Sequence, residues 1–206
     1  MAIADAALTN LPAQPAAVLG PRVRDGDLLL CSAHDPFSRL IAWSTRSPWT
    51  HVAIAFRWPR RAEIMVFECV QHIGVRAVPL ASFLSQTSSG VRPYPGKIVL
   101  ARHAGLTPAK RGERLEDMAQ YAIDKLGDRF SVGEIAKIAL RIIAGRFVRR
   151  MPRSLGPDDE FICSEFVARC YHAAGLPIAW DGLGFVAPVD LARDPQVRAL
   201  ARFRTT

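Results

Sequence analysis

Cysteine is scarce in this chain and never paired at short spacing. The four residues, Cys31, Cys69, Cys163 and Cys170, show neither the repeated doublets of a zinc ribbon nor the density of a secreted disulfide framework, so reduced thiols are expected. No stretch reaches the roughly 18 to 20 consecutive apolar residues that a membrane span needs. The first 20 residues are rich in Ala, Pro and Leu, but they lack the basic start and unbroken apolar segment of an export signal. Cytoplasmic residence is therefore the expectation, with export left open. There is no internal repeat, no Gly-x-Ser-x-Gly elbow and no linker that would divide the chain.

What is present suffices for one ordinary domain. With 206 residues, half of them hydrophobic, a full core can form without staples, and we expect a flexible leader over 1–21 followed by one domain over 22–206. The balance of 27 Lys+Arg against 19 Asp+Glu gives a net charge of +8. That excess suits an anionic surface of any kind, whether phospholipid, acidic cell-wall polymer or nucleic acid, and assigns no specific nucleic-acid partner.

Along the chain, Leu28-Leu29-Leu30-Cys31 reads as a short strand after the Asp25-Gly26-Asp27 turn. Phe37, Leu40 and Ile41 predict a short helix. The runs His51–Phe56 and Ile64–Cys69, joined by a basic turn, predict a hairpin. Gly74–Leu80 and Lys97–Arg102 complete an antiparallel meander of strands. Thr107-Pro108 starts a helix that runs to Lys125 before Gly127, and Ser131 with Glu134 forms a capping box for a second helix ending near Gly145. A third begins at Cys163 and stops at Gly175. The apolar stretch 135–150 with its basic end fits a core helix, or alternatively a helix resting on anionic lipid.

Two of these segments carry chemistry. Cys163 stands where an acidic loop, Gly156 to Glu160, gives way to an amphipathic helix. Orphan N–H groups and a partial positive charge at such a terminus lower a thiol's pKa and favour the nucleophilic thiolate. His51 stands at the mouth of an apolar strand, held rigidly enough to serve as base. If the hairpin closes with Phe56 opposite Glu63, His51 lies opposite Glu68 on the same face, and that carboxylate can orient the ring. Ser164 and Glu165 are assigned to the helix start. Cys31, Cys69 and Cys170 are assigned to structure, and His34, His72, His103 and His172 to surface or loops. Cys69-x-x-His72 and Cys170-x-His172 lack the spacing of a zinc finger, so neither metal nor cofactor is expected.

The ordered segments Gly26-Asp27-Leu28-Leu29, Thr50-His51-Val52-Ala53-Ile54, Phe67-Glu68 with Gly74-Val75, Cys163-Ser164-Glu165-Phe166-Val167 with Ala174-Gly175-Leu176, and Pro188-Val189-Asp190-Leu191 resemble the permuted papain-like amidases of the YiiX/YaeF type. These are relatives of NlpC-type cell-wall peptidases in which the histidine strand precedes the cysteine helix. The resemblance spans roughly residues 22 to 195. It implies a circularly permuted papain-like α+β fold, an antiparallel sheet or partial barrel packed against helices, with Cys163 as nucleophile, His51 as base and Glu68 as orienting group. The implied activity is that of a cysteine amidase or peptidase forming a thioester with a small peptide or cell-wall fragment. A lipid-acyl thioesterase or acyltransferase of the same fold, and an inert peptide- or lipid-binding module, are the alternatives. Oligomeric state is not implied. One departure stands out. Where members often carry Tyr-Asp after a Gly, this chain has Gly127-Asp128-Arg129-Phe130, which removes a tyrosine hydroxyl from the cleft if Phe130 is the aligned residue.

Overall fold

In the computed structural model the described residues are Ile3 and the stretches 10–58, 63–87, 90–91, 93–106, 111–130, 160–179 and 186–205. Seven strands make one sheet: β1 (Ala13–Gln14), β2 (Asp27–Ala33), β3 (His51–Trp58), β4 (Glu63–Val70), β5 (Gly74–Pro79), β6 (Gly96–His103) and β7 (Val197–Phe203), in the spatial order β1-β7-β6-β2-β3-β4-β5. All neighbours are antiparallel except β1 and β7. Among the described residues, five helices of six or more residues pack around the sheet: α1 (Pro36–Thr45), α2 (Leu80–Ser85), α3 (Arg111–Asp124), α4 (Cys163–Ala173) and α5 (Pro188–Arg193), with a further single helical turn at Ala16–Leu19. The architecture is the expected α+β class with a largely antiparallel open sheet. No helix among the described residues is long and apolar enough to cross a membrane.

The simple meander is corrected at its last strand. After β5 the chain crosses back, and β6 pairs with β2 instead of β5. The reason lies in β2, whose residues Asp27 to Ala33 are buried without exception. A strand buried on both faces, with neighbours on both edges, reads as a continuous apolar run. Three apolar residues in a row, Ala199-Leu200-Ala201, interrupt the alternation of β7 where its register shifts, and this kept the strand from being recognised. The predicted helix 131–145 and the basic stretch 135–150 lie outside the described residues.

Several described residues of the segment 1–21, expected as a leader, contact the rest of the protein. Gln14 pairs with Phe203, Leu19 is fully buried, and the Ile3 N–H donates to the Ala192 carbonyl at 2.8 Å. Arg57 donates from Nε to the Val23 carbonyl at 2.7 Å and from Nη2 to those of Gly20 and Pro21, each at 2.9 Å. A fork of N–H donors gathers three carbonyls of this turn, and this fastens the segment.

Each sheet face has its own core. Leu28, Leu30, Val52, Ile54, Phe67 and Cys69 pack with Phe166, Val167 and Cys170 of α4. Leu29, Cys31, Ala53, Ala55 and Val66 pack on the other side with Leu19, Val23 and the α2 residues Leu80, Phe83 and Leu84. At the entry to β2, Gly26 takes φ 78°, and the buried Tyr171 hydroxyl of α4 donates to its carbonyl. Asp27, fully buried, accepts from Arg102 Nε at 2.6 Å and Nη2 at 2.7 Å, a bidentate pair that offsets the desolvation of both charges.

Removing one partner of such a pair strands the other. Asp27→Ala is expected to cost about 3 kcal/mol of stability, read as a lower midpoint in urea unfolding, and a midpoint equal to that of the unaltered chain would contradict the assignment.

Candidate active site

β3 opens with His51, whose Cα faces Cys31 of β2. On its other edge β3 meets β4 with Phe56 opposite Met65 and Trp58 opposite Glu63, two residues away from the expected register. The strand continues through Arg57 and Trp58, so the connection is shorter than the six-residue turn expected. A two-residue shift preserves which face each side chain occupies. Glu68 therefore stays on the His51 face but lies diagonally from it, and His51 Nε2 to Glu68 Oε2 measures 2.8 Å.

The β4–β5 hairpin supplies a group that the sequence reading missed. Glu68 pairs directly with Arg76, and the guanidinium donates to Oε1 from Nε at 3.0 Å and Nη2 at 2.8 Å. One carboxylate oxygen thus serves the histidine and the other serves the arginine. The signal was present in the three residues Gln71-His72-Ile73 between Val70 and Gly74, since a turn of that length sets Glu68 across from Arg76. Phe83 of α2 stacks near the His51 ring, with centroids 6.5 Å apart and planes at 28°.

Cys163 approaches from the opposite face at the first position of α4, preceded by Ile162 in extended conformation. The β3–β4 ladder ends at the Ile54–Phe67 pair. Beyond it the Val52 N–H reaches the Cys163 sulfur, as does the Ser164 N–H, and the sulfur also hydrogen-bonds with the His51 ring. Because Nε2 is taken by Glu68, the ring nitrogen left for sulfur is Nδ1.

The electrostatics follow from these contacts. Burial alone would raise the Cys163 thiol, but the positive charge and hydrogen bond of His51, with the two backbone N–H groups, hold it below the ordinary thiol range. Burial alone would lower His51. The Cys163 thiolate and the Glu68 carboxylate overcome that and raise it to about 10. Glu68 would likewise be raised by burial, yet the His51 hydrogen bond and the His51 and Arg76 charges keep it below the usual carboxylate value.

The remaining candidates separate cleanly. Ser164 is buried and donates its hydroxyl to the Val186 carbonyl at 2.7 Å, and Glu165 pairs with Arg169 one turn on at 3.1 Å. Burial raises Cys31, Cys69 and Cys170 above the ordinary thiol range. His34, His72 and His172 are exposed. His103 corrects the surface expectation. It is buried at the end of β6, its ring 5.4 Å from that of Tyr171. Among the described residues no group of three or more His, Cys, Asp or Glu could hold a metal ion. The backbone of Phe130 lies in a two-residue strand, Arg129–Phe130, parallel to Glu160–Phe161.

The model of the permuted papain-like amidase enzymes, YaeF/YiiX, C92 family, matches residues 22–183. The chain belongs to this family. Its members are papain-like cysteine amidases and peptidases, so the family makes the chain a cysteine-type hydrolase. The crystal structure of metalloprotein yiiX from Escherichia coli O157:H7 is similar in fold, with a TM-score of 0.62, 20% identity, and coverage of 87% of this chain and 97% of that one. No curated protein matches significantly.

For this family member, iodoacetamide should label Cys163 at a pH well below the value of about 8.5 typical of a free thiol, while the three raised thiols stay unlabelled. His51→Ala should move the Cys163 profile up to the ordinary range. Mass mapping of the labelled site checks this, and preferential labelling of Cys31, Cys69 or Cys170 would contradict it.

Proposed function

We propose that the chain hydrolyses amide bonds of small peptides or cell-wall fragments through Cys163, His51 and Glu68. The observation that carries the reading is the unbroken line of contacts from the Cys163 sulfur through the His51 ring to Glu68, assembled from α4 and the distant hairpin strands β3 and β4. The Cys163 thiolate attacks the carbonyl carbon and forms a tetrahedral intermediate. Its new oxyanion is met by the Cys163 N–H, one of the orphan donors at the start of α4. His51 gives its proton to the leaving nitrogen, the C–N bond breaks, and a thioester remains. Water then loses a proton to His51 and attacks the thioester, which releases the acid and returns the thiolate.

Glu68 and Arg76 act one step back. Glu68 fixes the ring so that Nδ1 faces the sulfur, and Arg76 fixes Glu68. An amine leaves poorly without a proton, and a ring that is already imidazolium supplies it. This supports amides as the substrate class.

Cys163→Ala is expected to abolish turnover and the mass of an acyl adduct on the protein. His51→Ala should lower kcat/KM by about 10²–10⁴-fold, and Glu68→Gln by less. Activity should rise with pH as Cys163 ionises at its lowered value and fall as His51 loses its proton near pH 10. Panels of small amides and esters with mass detection of the thioester provide the measurement; turnover that survives Cys163→Ala would refute the reading.

A further inference from the structure

α1 is amphipathic the wrong way round. At 100° per residue, Ser38, Ile41, Ala42 and Thr45 share one side, and that side faces the protein with Ser38 buried and the others half-buried. The opposite side presents Arg39, Leu40 and Trp43 to solvent, with Leu40 41% and Trp43 66% exposed. A helix serving only its own core would turn its tryptophan inward and its serine outward.

Beyond the helix cap, the sequence around this apolar pair carries charge of one sign. From Pro36 to Ala62 there is no aspartate or glutamate, but there are five arginines, of which Arg39 and Arg46 flank Trp43. The nearest preceding carboxylate, Asp35, is used as the helix cap, accepting from the Ser38 N–H at 3.0 Å and from its hydroxyl. At the far end Ser47 N–H donates to the Ala42 carbonyl at 3.1 Å, closing the helix around a residue in the left-handed region. Glycine is favoured there, yet the position holds Arg46, exposed, at φ 49°. Arg46 in that backbone region sets an exposed cation three residues after Trp43, at the end of the helix.

We propose that α1 lies flat on an anionic phospholipid bilayer, with Leu40 and Trp43 in the headgroup boundary and Arg39 and Arg46 on lipid phosphates. Tryptophan and arginine at the edge of an apolar strip suit that boundary, and the chain's net charge of +8 adds attraction to an acidic leaflet. At about 1.5 Å per residue the helix spans far too little to cross. It bridges β2 and β3 just ahead of His51, so this contact sets the cleft beside the membrane. The inference rests on α1 alone and does not require the proposed hydrolysis.

The test is flotation of the full chain with phosphatidylcholine vesicles and with vesicles that also contain phosphatidylglycerol. Binding is expected only with phosphatidylglycerol and should weaken at high salt. Trp43→Ser and Arg39→Gln/Arg46→Gln should each reduce it about tenfold or more, while Cys163→Ala should bind like the unaltered chain. Brominated lipid should quench a fluorescence component that is lost in Trp43→Phe. Absence of binding, equal binding to neutral vesicles, or binding untouched by the α1 variants would overturn the proposal, as would a Trp43-dependent dimer that ignores vesicles. Loss of hydrolysis with intact flotation would count against the catalytic reading only.

Discussion

The structure turns on where one proton sits between Cys163 and His51. In an isolated thiol and imidazole at neutral pH the proton belongs to sulfur. Here the ring is raised to about 10 and the thiol is lowered, and both shifts favour the proton on nitrogen. Glu68 and Arg76 make that transfer sustainable. The four groups alternate in sign from sulfur to guanidinium, and their charges sum to zero. A buried ionic set in which each charge touches an opposite one avoids the desolvation penalty that any one of them would suffer alone.

That alternation depends on a backbone frame. His51 and Glu68 are brought together because β3 and β4 share a face, while Cys163 is delivered from the other face by α4, whose apolar side packs on β3 and β4. The meeting occurs where the β3–β4 ladder has ended, so a strand N–H, that of Val52, is free to bond sulfur. Gly74 steadies the neighbouring edge. At φ 89°, a side chain there would meet the Asp128 carbonyl oxygen at 2.0 Å, and the close approach lets Val75 donate to that oxygen at 2.9 Å. Arg76 is the next residue, so the hold on Glu68 is anchored to the same junction.

Much of this was legible in the residues. The apolar runs of β2 and β3, the cysteine at a helix start and the histidine at a strand mouth each follow from local pattern, and the ordered segments pointed to the family. Glu68 was found through a hairpin register that is off by two, and it survives because side chains alternate with period two; an error of one would have selected Phe67 or Cys69. What sequence could not convey is non-local. The return of β6 to β2 is set by the need to cover both edges of a buried strand. β7 hides because Ala199-Leu200-Ala201 interrupt its alternation at a register shift. Arg76 becomes visible only when the turn after Val70 is counted, and the outward Trp43 only when the side of α1 that meets the protein is known.

The most direct measurement is nitrogen NMR of the His51 ring across pH. At about pH 8, above the ordinary imidazole value near 6.5, the expected result is an imidazolium with both nitrogens protonated, reverting to neutral imidazole in Cys163→Ala at markedly lower pH than in the unaltered chain. A ring that is neutral at pH 8 in the unaltered chain, and that titrates alike in both proteins, would contradict the account.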